Sequence, residues 1–243
     1  MKHLFICLFT FLLFVPSAIA GGDDSGYGLT VGGEKKIVKG LKVSAEAEIR
    51  TQNSLSDLER WTFDLGLSYR LASWLKSDVG YSFINRYHTS KLTSKGNTIN
   101  GYWGPRHRYY GGLTGQMEVG RWKLSLRERY QYTYSPLQYV PKYRADGKRL
   151  TDEVEGPDHD HILRSRLAAS YNIRRSKFEP FANIELLSDL SAGLATDQIR
   201  YTVGTDYKLN KREVLTLQWR YKDRADQDES NGHLVTFGYS ISF

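Results

Sequence analysis

Cysteine is almost absent from this sequence, and the chain also lacks the long hydrophobic runs of helical membrane proteins. The single cysteine, Cys7, lies in the apolar segment near the N-terminus. A form exported without that segment has no thiol for a disulfide, a thiolate metal site or redox chemistry. Beyond the first twenty residues, no stretch approaches the roughly 18 consecutive apolar residues that a spanning helix needs. The sequence therefore excludes a disulfide scaffold and a helical membrane protein.

The first twenty residues have the pattern of a secretory signal peptide. Lys2 and His3 precede an apolar run from Leu4 to Val15, and Ala18-Ile19-Ala20 forms a small-residue cleavage site. The run is 12 residues long, too short to span a bilayer as a retained anchor. We expect residues 1–20 to be a cleaved signal peptide and residues 21–243 to form one exported domain without lipidation.

Aromatic and charged residues are plentiful. The chain is 13% aromatic, and its 34 Lys+Arg against 27 Asp+Glu give a formal net charge of +7. Such an aromatic chain has ample surface to bury and does not resemble a disordered one. The basic residues alternate with apolar ones instead of forming the Lys/Arg clusters typical of nucleic-acid binding. We therefore expect no nucleic-acid partner.

Nearly every segment after residue 26 alternates apolar and polar residues, which is the two-residue period of a strand with two different faces. From Trp61 to Leu71, for example, every odd position is apolar and nearly every even position is polar. The pattern predicts no helix. It predicts eleven strands, at residues 27–37, 41–52, 59–71, 75–88, 107–119, 122–134, 161–173, 177–187, 197–209, 213–223 and 233–243.

The predicted strands suit a membrane-spanning barrel better than a soluble protein. They are 11 to 14 residues long, whereas strands of soluble proteins usually have about 5 to 6 residues. Short connections, such as 38–40 and 120–121, alternate with long polar ones that reach 89–106 and 135–160. Short turns on one side and long loops on the other are typical of outer-membrane barrels.

Aromatic residues fall near both ends of the predicted strands, as in the two interfacial girdles of a membrane barrel. Trp74 and Trp122 lie at the short-turn side, and Trp61 and Trp219 at the long-loop side. An exported soluble barrel of the lipocalin type is the alternative. Because bacterial single-chain barrels have an even strand number, we predict an all-β fold, a transmembrane antiparallel up-and-down β-barrel of about 12 strands, or 10.

Several motifs resemble known barrels. The terminal Tyr239-Ser240-Ile241-Ser242-Phe243 resembles the C-terminal signal of outer-membrane barrels, which implies that the barrel assembly machinery recognises Phe243. Segments 46–50, 80–83, 126–130, 163–167 and 178–183 resemble a family of Gram-negative outer-membrane barrels catalogued as a domain of unknown function. This resemblance covers almost the whole mature chain. It implies the fold and a location in the lipid of the cell outer membrane, but no activity.

Basic residues outnumber acidic ones on the predicted inward faces. Arg127 and Arg129 on one strand and Arg164 and Arg166 on the next predict a cationic patch of the wall, which Glu179 and Glu185 could partly neutralise. The other lumen arginines that we single out are Arg70, Arg200 and Arg220. Rings of arginine favour anions, so the sequence predicts a porin-like channel for small anionic solutes. The architecture resembles narrow outer-membrane porins, and a structural or surface-binding barrel plugged by ion pairs is the alternative.

Histidines are the other candidate site. Five of the six lie at long-loop ends of predicted strands, and in Asp158-His159-Asp160-His161 the two imidazoles share a face and could hold a metal ion. A solvated acidic loop is the alternative, and we predict no metal, no cofactor and no enzyme. Motifs for nucleophilic catalysis are absent, which leaves a rim hydrolase as the least supported reading. The five histidines are His88, His107, His159, His161 and His233.

Overall fold

The computed structural model describes residues 24–52, 57–224 and 232–243. The predicted signal peptide lies outside these residues. Within the described ranges, no helix is long and apolar enough to cross a membrane.

The described residues form sixteen strands. In chain order they are β1 (Asp24–Val38), β2 (Leu41–Gln52), β3 (Asp57–Arg70), β4 (Leu75–His88), β5 (Lys91–Leu92), β6 (Thr98–Ile99), β7 (Tyr102–Val119), β8 (Trp122–Ser135), β9 (Gln138–Val140), β10 (Lys142–Tyr143), β11 (Glu153–Glu155), β12 (Asp158–Tyr171), β13 (Phe178–Asp189), β14 (Ala195–Lys208), β15 (Glu213–Arg224) and β16 (Gly232–Ser242).

Eleven of these strands close into a single barrel, with the order β1-β2-β3-β4-β7-β8-β12-β13-β14-β15-β16. Neighbours pair antiparallel except at the seam, where β1 runs parallel to β16 from the Asp24–Gly232 pair to the Glu34–Ser242 pair. The predicted fold class is confirmed. The described wall has one strand fewer than 12, because the parallel seam satisfies the hydrogen bonds of both terminal strands and closes an odd-numbered wall.

The connections alternate in length as predicted. The turns after β1 and β7 contain Gly40 at φ +87° and Gly120 at φ +63°, a left-handed conformation that glycine adopts without steric cost. At the opposite end, β7 begins at Tyr102, five residues before the predicted start at residue 107. Tyr102 and Trp103 pair with His88 and Tyr87, so the β4–β7 hairpin continues beyond the rim of the barrel through Gly104 and Pro105.

The wall has an apolar outer face and a polar inner face. On β3, the side chains from Trp61 to Tyr69 at odd positions are between 39% and 48% exposed. The intervening Asp64 points inward and accepts hydrogen bonds from Ser82 Oγ and Tyr110 Oη, at 2.5 and 2.9 Å. The barrel therefore has no continuous apolar core, and its stability depends on wall hydrogen bonds and polar contacts across the lumen.

Two long connections fold into a cap at one side of the long-loop rim. β5, β6 and β10 form a three-stranded sheet, and β9 pairs with β11. Ile99 and Val140 are 3% and 1% exposed, so each of the two small sheets buries an apolar side chain. Lys142 Nζ lies 2.6 Å from Glu153 Oε2, and this hydrogen bond lowers the pKa of the Glu153 carboxyl. This half-buried pair contributes only modestly to stability, and that contribution is lost as the pH falls through the lowered pKa.

Candidate functional site in the barrel lumen

Four cavities follow one another through the barrel. The mouth cavity (about 400 Å³) lies at the rim between the barrel wall and the loop that carries β9 and β11, and the upper cavity (about 440 Å³) shares Arg106 and Asp158 with it. The middle cavity (about 440 Å³) shares Arg60, Arg108 and other residues with the upper one. The lower cavity (about 400 Å³) shares Arg164, Gln218 and Arg220 with the middle one. The shared lining residues show that these polar cavities lie next to one another along the lumen.

The middle cavity is strongly basic. Three carboxylates line it, those of Glu46, Glu48 and Asp64. Seven arginines from seven different wall strands line it as well: Arg50, Arg60, Arg108, Arg129, Arg164, Arg200 and Arg220. Because each of these seven strands contributes one arginine, the positive charge surrounds the cavity and is not confined to the section of wall formed by β8 and β12.

Arg127, Arg129, Arg164 and Arg166 occupy neighbouring positions on the inner wall. Arg164 pairs directly across from Arg129, and Arg166 from Arg127, in the β8–β12 register. Glu185 on β13 bridges the two strands, since its carboxylate oxygens lie 2.8 Å from Arg127 Nη2 and 2.6 Å from Arg164 Nη2. One buried carboxylate thus offsets part of the repulsion between these arginines.

The second acidic residue considered for the patch has other partners. Glu179 accepts hydrogen bonds from Lys208 Nζ at 2.6 Å and from Ser170 Oγ at 2.9 Å.

The other arginines singled out from the sequence differ in position. Arg200 Nη1 lies 3.6 Å from Glu185. Arg200 and Arg220 line the middle cavity, whereas Arg70 is exposed at the short-turn end of β3 and lines none of the four cavities.

Arg129 is positioned by a network that begins with two glycines. A Cβ atom on Gly80 would clash with Tyr110 Cζ, so only glycine lets the Tyr110 ring lie against β4. The ring in turn packs under Arg129, whose Cζ is 4.2 Å from its centroid. Arg129 Nη2 also donates to Asp78 Oδ2 at 2.6 Å. A Cβ atom on Gly66, which pairs with Gly80, would lie 3.1 Å from the Tyr110 hydroxyl, a tight contact that is less severe than the one at Gly80.

Sequence reasoning missed three lumen arginines. Arg50 has the same parity as Glu46 and Glu48 on β2, so alternation alone would have placed it inward. Arg106 and Arg224 were outside the predicted strands, because Gly104-Pro105 and the polar end of β15 concealed the strand continuations. All three line the upper cavity.

The histidines do not converge on one site. His159 and His161 point outward, where hydrogen bonds join their Nδ1 atoms to Tyr132 Oη at 2.7 Å and to Tyr130 Oη at 2.8 Å. Asp158 and Asp160 point to the other face and line the upper cavity. The strand period therefore separates the imidazoles from the carboxylates that a shared metal site would need. Among the described residues, no group of three or more His, Cys, Asp or Glu side chains is placed to hold a metal ion.

The other histidines lie on other strands of the wall, and only His107 joins the same outer-face series of rings, since Tyr134 contacts both His107 and His159 in the described part of the chain. His107 hydrogen-bonds Tyr81 Oη at 2.8 Å, and His233 stacks on Trp219 at 5.6 Å between ring centroids. His88 lines the mouth cavity. Interleaved imidazole and phenol groups suit the boundary between lipid and water, where amphipathic rings are favoured.

Comparison with known proteins supports the fold. Residues 28–232 match the family model described as "Protein of unknown function (DUF2490)", which confirms the predicted resemblance. No curated protein matches the chain. The beta domain of the Bordetella autotransporter BrkA is similar, with 11% identity, a TM-score of 0.50 and coverage of 84% of this chain and 82% of that chain. The NanC porin in a rhombohedral crystal form gives 14% identity, a TM-score of 0.48 and coverage of 87% and 94%.

Proposed function

The chain belongs to this family of unknown function, and we propose that it is a narrow outer-membrane channel whose net-basic lumen favours small anionic solutes. The observation that supports the proposal is the middle cavity, where seven arginines oppose three carboxylates. A lumen lined in this way lowers the energy of an anion and raises that of a cation. The four cavities that share lining residues supply the space for a hydrated solute.

The location is part of the proposal. An apolar outer face with aromatic residues near both ends suits a surrounding bilayer, and the predicted signal peptide directs export. We infer that the outer-membrane lipid contacts this face and that the barrel assembly machinery reads the segment ending at Phe243. No catalytic group is proposed, because the outward histidines are separated from the inward carboxylates.

Location has a direct test. The mature protein should sediment with outer membranes and migrate faster on gels when unheated than when boiled, because a closed barrel resists detergent. A periplasmic protein expressed from the same promoter serves as the fractionation control. Recovery of the chain in the soluble periplasmic fraction would contradict the membrane location.

The channel has its own test, a planar bilayer with a potassium chloride gradient across it. We expect conductance above the lipid background and a reversal potential whose sign shows that chloride permeates better than potassium. The control is the same refolded preparation after boiling, which unfolds the barrel. Any conductance that this boiled sample still shows comes from detergent or contaminants.

A plugged barrel is the second candidate, and the ion pairs across the lumen favour it. Glu185 binds two arginines, and Arg129 binds Asp78, so part of the lumen is filled by paired side chains. This candidate predicts a correctly inserted, heat-modifiable barrel without conductance. That result would overturn the channel.

A further inference from the structure

Three charged side chains in the middle cavity form no ion pair with any side chain in the described part of the chain. Arg108 Nε donates to Thr133 Oγ1 at 3.1 Å, and Arg220 Nε donates to Thr202 Oγ1 at 3.3 Å. Neither guanidinium forms an ion pair with a described carboxylate. Glu46 is exposed to the cavity and forms neither a hydrogen bond nor an ion pair within the described ranges. The cavity therefore presents two unpaired cations and one unpaired anion.

The neighbouring carboxylates show that Glu46 is distinct. Glu48 lies 2.8 Å from Arg50 Nη2 and 3.6 Å from Arg60 Nη2. Asp64 accepts hydrogen bonds from a serine and a tyrosine hydroxyl. Glu46 faces Asp64 across the β2–β3 pair, so two like charges lie beside each other with only one of them stabilised. An arriving cationic group would relieve this repulsion.

The three unpaired groups surround the cavity. Glu46 is on β2, Arg108 on β7 and Arg220 on β15. In the barrel order, β2 is three strands from β7 and three from β15, and β7 is five strands from β15. A solute in the middle cavity can thus meet the two guanidinium groups from nearly opposite walls while Glu46 approaches it from a third side.

We propose that the middle cavity selects small anions that also carry an ammonium group, with Glu46 as the residue that recognises the ammonium. This inference rests on the proposed anion channel. Guanidinium groups bind carboxylates through paired N–H donors, so Arg108 and Arg220 suit a solute with two carboxylates. An acidic amino acid, with two carboxylates and one ammonium, complements all three groups in number and sign.

The test compares two monoanions of similar length. L-glutamate has two carboxylates and an ammonium group, whereas monomethyl glutarate has no ammonium group and has one carboxylate blocked as a methyl ester, so the Glu46 variant, and not the ratio alone, isolates the ammonium contact. Permeability ratios come from reversal potentials in planar bilayers with each probe on one side. The unmodified protein should favour glutamate. Glu46→Gln should lower the glutamate to monomethyl glutarate ratio by about twofold to fivefold, the range expected for one solvated charge pair, while chloride remains preferred over potassium.

Glu118→Gln is the matched control, because Glu118 lies on the exposed short-turn end of β7 and lines none of the four cavities. It should leave the ratio unchanged. Equal permeability of the two probes in the unmodified protein, an unchanged ratio in Glu46→Gln or an equal fall in both variants would overturn the inference and leave the anion channel standing. Absence of any conductance would overturn the channel itself. Glu46→Ala is the second neutral variant, for use where Glu46→Gln gives no heat-modifiable band.

Discussion

Arg108→Glu together with Arg220→Glu should abolish the anion preference of the channel. The double change leaves five arginines and five carboxylates around the middle cavity in place of seven and three. A unit charge about 4 Å from an ion changes its energy by about 1 kcal/mol in water, so two reversals should lower the chloride to potassium permeability ratio by about tenfold or more. Reversal potential under a salt gradient measures the effect, and screening should weaken it at high ionic strength.

Arg121→Glu with Lys211→Glu is the matched control for this variant. Both residues are exposed in short turns, so the control changes the net charge equally without altering the lumen. Arg108 and Arg220 are better targets than Arg127, because Arg127 binds Glu185 and its reversal would disturb the wall. A reversal potential that stays unchanged in the lumen variant would contradict the role of these arginines.

Glu185→Gln should be the most destabilising single change in the lumen. The Glu185 side chain is 6% exposed and lies between Arg127 and Arg164, with Arg200 at 3.6 Å. Its neutralisation leaves these guanidinium groups facing one another without a carboxylate, and breaking a buried ion pair in this way costs about 3 kcal/mol or more. A lower urea midpoint for loss of the compact, heat-modifiable form measures the change.

Two companion variants separate charge imbalance from the loss of one contact. Arg164→Gln added to Glu185→Gln should restore part of the stability, since it removes one of the opposing cations. Glu118→Gln should unfold at the urea concentration of the unmodified protein. A free energy of unfolding for Glu185→Gln within about 0.5 kcal/mol of the unmodified value would show that the pairs contribute little.

Alternation was enough to predict the wall. A strand with one face toward an apolar surround and the other toward a polar lumen has a two-residue period, and β3, β8 and β14 show it clearly. The even number of strands that we expected was not found in the described wall. The parallel seam between β1 and β16 depends on contacts between residues more than 200 positions apart, which alternation does not reveal. The cap strands were missed because strands of two or three residues have no detectable period.

The sequence predicted which residues face the lumen, but not which of them contact one another there. Alternation placed Arg164 and Arg200 inward, yet it does not specify which carboxylate each contacts, since that depends on the stagger between strands that are far apart in sequence. Arg70 shows that alternation also does not predict how far along the strand a residue lies. It has the inward parity, but it lies at the end of β3, beyond the cavities. Residues 158–161 show that sharing one end of the barrel does not imply a shared side of the wall, since the two histidines point outward and the two aspartates line the lumen.

The odd number of crossings has a consequence for the two ends of the chain. In an even-stranded barrel both ends lie on the same side, and neither has to traverse the bilayer. Here Asp24 lies beside Gly232, at the opposite end of the barrel from Phe243. If the barrel assembly machinery recognises Phe243, as we propose, and that end remains on the side of insertion, the polypeptide that enters β1 has to be translocated. If the chain is cleaved after Ala20, as the sequence predicts, the new amino terminus and the acidic residues Asp23 and Asp24 accompany that crossing.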